Sequence, residues 1–200
     1  MAPRPKSKAV ADLFGGREPV IAGFALVDEL VSPAEERALI AAIDGVELDP
    51  FRVHGWEGKR RTRSFGWRYD FEDARFTRTE PIPTWLLPVR DKAAGFAGLR
   101  SDDFAHALLI RYDPGAGIGW HRDKPMFEDV VAFSFLAPCT LRFRRKQGDG
   151  WARFVRRIAP RSAYLLRGPS RFLWEHSIPA LDALRYSVTF RTFRAGAARG

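Results

Sequence analysis

His121-Arg122-Asp123 is the sharpest chemical feature of the sequence. In extended chain, side chains two residues apart project from one face, so this imidazole and carboxylate would converge on one point. A third donor must come from elsewhere, and His176 stands well downstream in a strand-like segment, WEHSI. Two histidines and one carboxylate on one side of a metal leave its other positions open, the facial-triad arrangement of non-haem iron(II) oxygenases. H-x-D alone is weak, because such pairs also occur as surface ion pairs. His54 and His106 have no carboxylate at that spacing. A metal assignment needs a second signal.

That signal is R-Y-S-V-T-F-R at 185–191. Within one strand Arg185, Ser187, Thr189 and Arg191 share a face. Two guanidiniums facing inward need anions, since buried unpaired charge is costly. A small dicarboxylate satisfies both, because the guanidinium fork matches a carboxylate. The similar alternation in TLRFRR (140–145) reads instead as the solvated face of an edge strand.

These residues must be held by a scaffold, and two periodicities describe it. A helix is signalled at 33–44, where Ser32 and Glu35 form a capping box and Pro33 suits the first position. Leu39, Ile40 and Ile43 give it an apolar stripe. A second helix lies within 83–97, with Trp85, Leu86, Val89 and Phe96 at helical spacing and Pro88 blurring its start. From about residue 106 the period becomes extended. AHALLIRY, VVAFSFL, TLRFRR, ARFVRRI, SAYLLRG, FLWEHSI and RYSVTFRTF are short, rich in branched and aromatic residues, and separated by turns such as DPGAG and KQGDG. Helices first and strands after imply an α+β fold, a sandwich, jelly roll or barrel with helices buttressing one sheet.

Composition sets the outer limits. The 200 residues, 46% hydrophobic, suit one domain with a substantial core. That domain spans 13–194, between a flexible basic arm (1–12) and a loose tail (195–200). No apolar run is long enough to cross a bilayer, so no membrane partner is expected. Cys139 is the only cysteine, which excludes an intrachain disulfide and zinc ribbons and fits a reducing, cytoplasmic compartment. The net charge of +9 suggests a polyanionic partner. An arginine- and alanine-rich composition also follows from genome base composition, so charge alone leaves nucleic-acid contact open.

Over residues 105–194 the chain resembles the AlkB family of 2-oxoglutarate- and iron(II)-dependent dioxygenases. LLIRYDPGAGIGWHRDK and WEHSIPALDALRYSVTFR carry the resemblance, together with their spacing. It implies a double-stranded β-helix core; Fe(II), 2-oxoglutarate and O2 as cofactor and cosubstrates; and alkylated nucleobases as substrate. His121, Asp123 and His176 would be the iron ligands, and the catalytic groups through that iron. Arg185 would pair with the distal carboxylate of 2-oxoglutarate and Arg191 with its iron-chelating end. Tyr112 would hydrogen-bond the cosubstrate, with Ser187 and Thr189 lining the same pocket. The chain departs from the family at Ile110 and Ser187, where asparagine is usual, and at Pro125, where some members carry an acidic residue.

GKRRTRSFGWRYDF, within about 51–80, resembles the family's nucleotide-recognition lid, a basic turn before an aromatic hairpin. Trp67 and Tyr69 would grip or stack on a base, beside Arg68. Arg60, Arg61 and Arg63 would meet phosphates or fill the gap left by a flipped base. Alternatively Phe65, Trp67 and Tyr69 are core residues and the arginines a solvated loop. The expected activity is oxidative dealkylation of DNA bases, by a monomer that clamps a long polymer. RNA or tRNA bases, or a protein side chain, are the alternative substrates for the same iron chemistry. A non-catalytic nucleic-acid-binding jelly roll would need neither the triad nor both arginines, and a cupin-type protein would need more histidines.

Overall fold

The structure is a computed structural model that describes residues 21–53, 56–69 and 76–196. The basic arm at 1–12 and residues 197–200 of the tail lie outside the described residues. In chain order the elements are β1 (Phe24–Val27), α1 (Pro33–Asp44), β2 (Asp49–Val53), β3 (Trp56–Phe65), β4 (Trp67–Tyr69) and β5 (Phe76–Arg78). Then come α2 (Leu87–Ala97), β6 (Phe104–Tyr112), β7 (Ile118–His121), β8 (Phe127–Leu136), β9 (Cys139–Gln147) and β10 (Gly150–Ile158). β11 (Ala163–Leu166), α3 (Pro169–Phe172), β12 (Glu175–Ile178) and β13 (Arg185–Phe193) complete the chain.

All pairings are antiparallel. One sheet runs β1-β11-β8-β13-β6-β3-β2 and a second β10-β9-β12-β7, while β4 and β5 form a separate ribbon. Two such sheets with long-range strand order make the expected jelly roll. Its core has two layers because the central strands are buried on both faces. Phe133, Phe135, Val188 and Phe190 pack towards Leu39, Ile43, Val89 and Ala93 of the helices. Val130, Ala132, Ile110 and Tyr112 face the second sheet's Leu141, Phe143 and Ile178. The helices therefore do buttress one sheet and leave the space between sheets for the site. No described helix is long and apolar enough to cross a membrane.

Local chemistry explains the helix boundaries. The Ser32 hydroxyl accepts from Glu35 N at 3.3 Å, and Glu35 Oε2 accepts from Ser32 N at 2.8 Å. The second helix starts later than its apolar spacing suggests. Thr84–Leu86 is a 3-10 turn, and Pro88 then stands in the first turn of α2, where its missing N–H leaves no bond unmade. Gly98, at φ 66°, ends it in the left-handed conformation.

Two readings are corrected. GKRRTRSF is strand rather than a basic turn: β3 pairs with β6, with Arg60 opposite Tyr112 and Phe65 opposite Ala107. Its polar sequence hides this because Arg60, Thr62 and Ser64 line a polar cavity and Arg61, on the other face, meets solvent. β9 is not an edge strand, since it lies between β10 and β12. Where β3 turns into β4, Gly66 sits at φ 79°, and a Cβ there would lie 2.1 Å from the Ala105 carbonyl oxygen. Only glycine lets the β4–β5 ribbon leave the sheet at this point.

Candidate metal centre and anion pocket

Between the sheets opens a cavity of about 1400 Å³. His121, Asp123 and His176 all line it. His121 ends β7 and is the direct register partner of His176 on β12, so both imidazoles point to one side with ring centroids 4.3 Å apart. His121 Nδ1 lies 2.9 Å from the Gly119 carbonyl oxygen. A carbonyl can only accept, so Nδ1 carries the proton and Nε2 keeps its lone pair for a metal. Asp123 lies just past the end of β7 and reaches the same space, its Oδ2 being 3.6 Å from His176 Nε2.

Electrostatics prepare these groups. Burial, reinforced by His121, pushes His176 down to about 3, and burial likewise lowers His121. Both are therefore neutral donors, and the 3.6 Å approach of His176 to Asp123 is not an ion pair. Burial alone would raise the Asp123 carboxyl. Arg191, the two imidazoles and Arg171 outweigh it and hold the group below the usual carboxylate range. Two neutral imidazoles and one carboxylate are chemically the donor set for iron(II). They are gathered rather than preset: among the described residues no three His, Cys, Asp or Glu side chains already surround one metal position. Asp123 Oδ1 accepts from Arg191 Nε at 2.9 Å and lies 2.7 Å from Nη2.

β13 supplies the anion pocket. Arg185 is fully buried; its Nε donates to Ser134 Oγ at 3.0 Å, while Nη1 and Nη2 have no partner. Tyr112, its register partner, places its ring centroid 5.0 Å from the guanidinium carbon. A buried cation with two open N–H ends is a strong demand for an anion. Ser187 and Thr189 line the cavity on the same face, although the Ser187 hydroxyl already donates to the Phe133 carbonyl at 2.9 Å. Arg191 also lines the cavity, but its partners there are Asp123 and His106.

The expected base-contacting residues separate. Arg68 and Tyr69 line the cavity, and Lys124 Nζ lies 3.8 Å over the Tyr69 ring. Trp67 does not line it; the indole stacks on Phe76 at 5.1 Å and meets Phe193 edge-on. Arg61 is exposed on the other side of β3, whereas Arg60, Thr62 and Ser64 face the cavity. Arg63 borders it with its guanidinium held by Glu80 at 2.8 and 2.9 Å.

Two cavity residues, His106 and Arg171, escape a motif reading, while Arg60, which the lid motif includes, takes a place the motif does not show. His106 is buried, with Nδ1 3.4 Å from Arg191 Nη1, and its alternation with Leu108, Ile110 and Tyr112 on β6 is the signal that marks it. Arg60 stacks over Phe51 at 3.7 Å, opposite Tyr112. Buried Arg171 donates to the carbonyls of Lys124 and Phe127, bracing the loop after Asp123. Nothing in GPSR alone announces that contact.

Comparison with known proteins agrees with this geometry. The sequence signature of the 2OG-Fe(II) oxygenase superfamily matches residues 23–191. The chain is 26% identical to the Arabidopsis thaliana "Alkylated DNA repair protein ALKBH8 homolog", over 87% of this chain and 56% of that protein. It is 27% identical to the Macaca fascicularis "tRNA (carboxymethyluridine(34)-5-O)-methyltransferase ALKBH8", over 78% of this chain and 24% of that protein. It thus spans about half or less of the length of these relatives. Among solved structures, that of OsALKBH1 superposes with a TM-score of 0.66 at 16% identity, covering 88% of this chain and 99% of that one. With the signature spanning nearly all of the described fold, the chain belongs to the 2OG-Fe(II) oxygenase superfamily and is an AlkB-like member of it.

Proposed function

We propose that the protein dealkylates N-alkylated nucleobases in DNA oxidatively, with Fe(II) held by His121, Asp123 and His176 and 2-oxoglutarate held through Arg185. The observation that carries this is Arg185: a fully buried guanidinium with two open N–H ends, 5.0 Å from the ring of Tyr112, which lines the cavity together with the two histidines and Asp123. A dicarboxylate seated on it by one end would present its other end towards the metal ligands.

Bound Fe(II), 2-oxoglutarate and O2 supply the oxidising chemistry, as in the family at large. The chain's own share is positioning. Arg185 and Tyr112 orient the cosubstrate, Ser187 and Thr189 shape its pocket, and the two neutral imidazoles keep their lone pairs for metal. Arg68, Tyr69 and the cavity face of β3 form the wall that a base swung out of its stack would meet, which costs a few kcal/mol and less for a damaged base.

A second reading, a tRNA or other RNA base as substrate, draws on the name of the Macaca fascicularis relative. One experiment separates them: anaerobic Fe(II) reconstitution, then succinate release from 2-oxoglutarate with methylated single-stranded DNA and with tRNA. Turnover on DNA supports the proposal. Turnover on tRNA alone transfers it to RNA, and full activity in Asp123→Ala overturns the iron assignment.

A further inference from the structure

The outer face of the β10-β9-β12-β7 sheet carries a cation–aromatic ladder that the site does not use. The Arg144 guanidinium carbon lies 4.5 Å from the Trp120 ring centroid and 4.5 Å from that of Trp151. Arg142 leans on Trp120 at 5.2 Å and Lys146 on Trp151 at 5.6 Å. Register continues the pattern on β10, where Arg153 lies opposite Arg144 and Val155 opposite Arg142. Arg157, two residues further, shares that face. Among the described residues of these four strands, this face has five cations against one carboxylate, Glu175, which Arg144 binds at 2.6 Å.

Two features distinguish it from an ordinary solvated face. Trp151 and Val155 are 42% and 57% exposed, so aromatic and apolar surface is interleaved with unneutralised charge. That mixture suits a single nucleic-acid strand, whose phosphates meet cations while its bases stack on rings. The face is also continuous with the cavity: Trp120 and Glu175 line the cavity, and Arg144 touches both. β7 is the sheet edge between them. A strand leaving the cavity over β7 would run onto the ladder.

We infer that the outer face of this sheet is a second docking surface, which holds the single-stranded backbone flanking the target base on the same substrate molecule. This rests on the proposed action on nucleic acid. The chain's own N-terminal residues are a poor occupant, because 1–20 carry four Arg and Lys against one Asp and one Glu.

The test compares the wild type with Arg153→Gln/Arg157→Gln and with Trp151→Ala, none of which touches the cavity. Binding of a 16-nucleotide single-stranded DNA is measured by anisotropy across salt concentrations. Turnover is measured on a methylated trinucleotide too short to cross β7. The double variant should weaken 16-mer binding about tenfold and make its log–log salt slope about 1.4 shallower, at about 0.7 per lost phosphate contact. Trp151→Ala should weaken binding about tenfold with the slope unchanged. Trinucleotide turnover should stay at the wild-type value in both. Unchanged 16-mer affinity and slope overturn the docking surface alone. An equal loss on the trinucleotide, or equally tight binding of polyglutamate by the wild type, also overturns it. If the wild type binds no oligonucleotide at any salt, the proposed function falls with it.

Discussion

His121 and His176 are register partners on neighbouring antiparallel strands, so the fold itself, not a loop, sets the 4.3 Å spacing of their rings. Strand pairing leaves these two side chains little freedom to separate. His176→Ala is therefore expected to lower Fe(II) affinity about a hundredfold or more while the β-rich circular dichroism spectrum stays the same. Anaerobic titration with Fe(II) measures it. Unchanged affinity would mean that the metal sits elsewhere.

Arg185 couples function to a stability cost. Its guanidinium is buried with two N–H ends unpartnered, and buried charge without a partner destabilises a fold. Arg185→Met should thus make the ligand-free protein more stable by about 1 kcal/mol or more while abolishing 2-oxoglutarate binding. Arg185→Lys should retain charge but lose the fork, raising the KM for 2-oxoglutarate at least tenfold, by roughly the difference between bidentate and point-charge recognition. In thermal melts 2-oxoglutarate should raise the wild-type Tm and leave that of Arg185→Met unmoved.

Acid should destabilise the metal-free protein before its carboxylates titrate. Burial and neighbouring His121 push His176 down to about 3, and burial with Arg191 nearby holds His106 well below its ordinary value. In the unfolded chain both titrate near 6.5. As pH falls below that value the unfolded state binds more protons than the folded one, so stability is lost from about pH 6.5 towards 3 and is unaffected above. Asp123, whose folded value is depressed, adds its own loss only below the carboxylate range. The urea midpoint should be lower at pH 5 than at pH 7.5, with a shallower fall in His106→Leu. Equal midpoints at pH 5 and 7.5 would refute the neutral-histidine assignment.

Legibility followed the strength of the local signal. α1 was readable to the residue because Ser32, Pro33 and Glu35 are side-chain devices that act within one turn. β13 was readable because its polar residues alternate: Ser187, Thr189 and Arg191 line one cavity, and Arg185 is buried behind the ring of Tyr112, which lines it too. β7 was hidden among glycines, and β3 looked like a turn because its partner, β6, supplies the apolar contacts that a strand usually announces for itself. Pair partners were the least legible. That Arg191 would bond Asp123, or Arg171 the loop after it, depends on residues 68 and 44–47 positions apart meeting in space.

Arg63 illustrates the same lesson in a testable form. The sequence suggests a phosphate contact, yet Glu80 occupies the guanidinium with two hydrogen bonds, and Asp49 stands 4.0 Å from its other end. A phosphate must compete with that carboxylate, and half-exposed pairs of this kind contribute only about 0–1 kcal/mol. Glu80→Gln removes the competing charge at small cost to the fold and frees the guanidinium at the cavity rim. It should tighten single-stranded DNA binding several-fold and steepen the salt slope by about 0.7, the share of one added phosphate contact. Arg63→Ala alone should change affinity by less than twofold if Glu80 keeps it occupied in the complex. In the Glu80→Gln background the same alanine substitution should erase the whole gain. A tightening that survives the second substitution would assign the effect to the lost acidic charge rather than to Arg63.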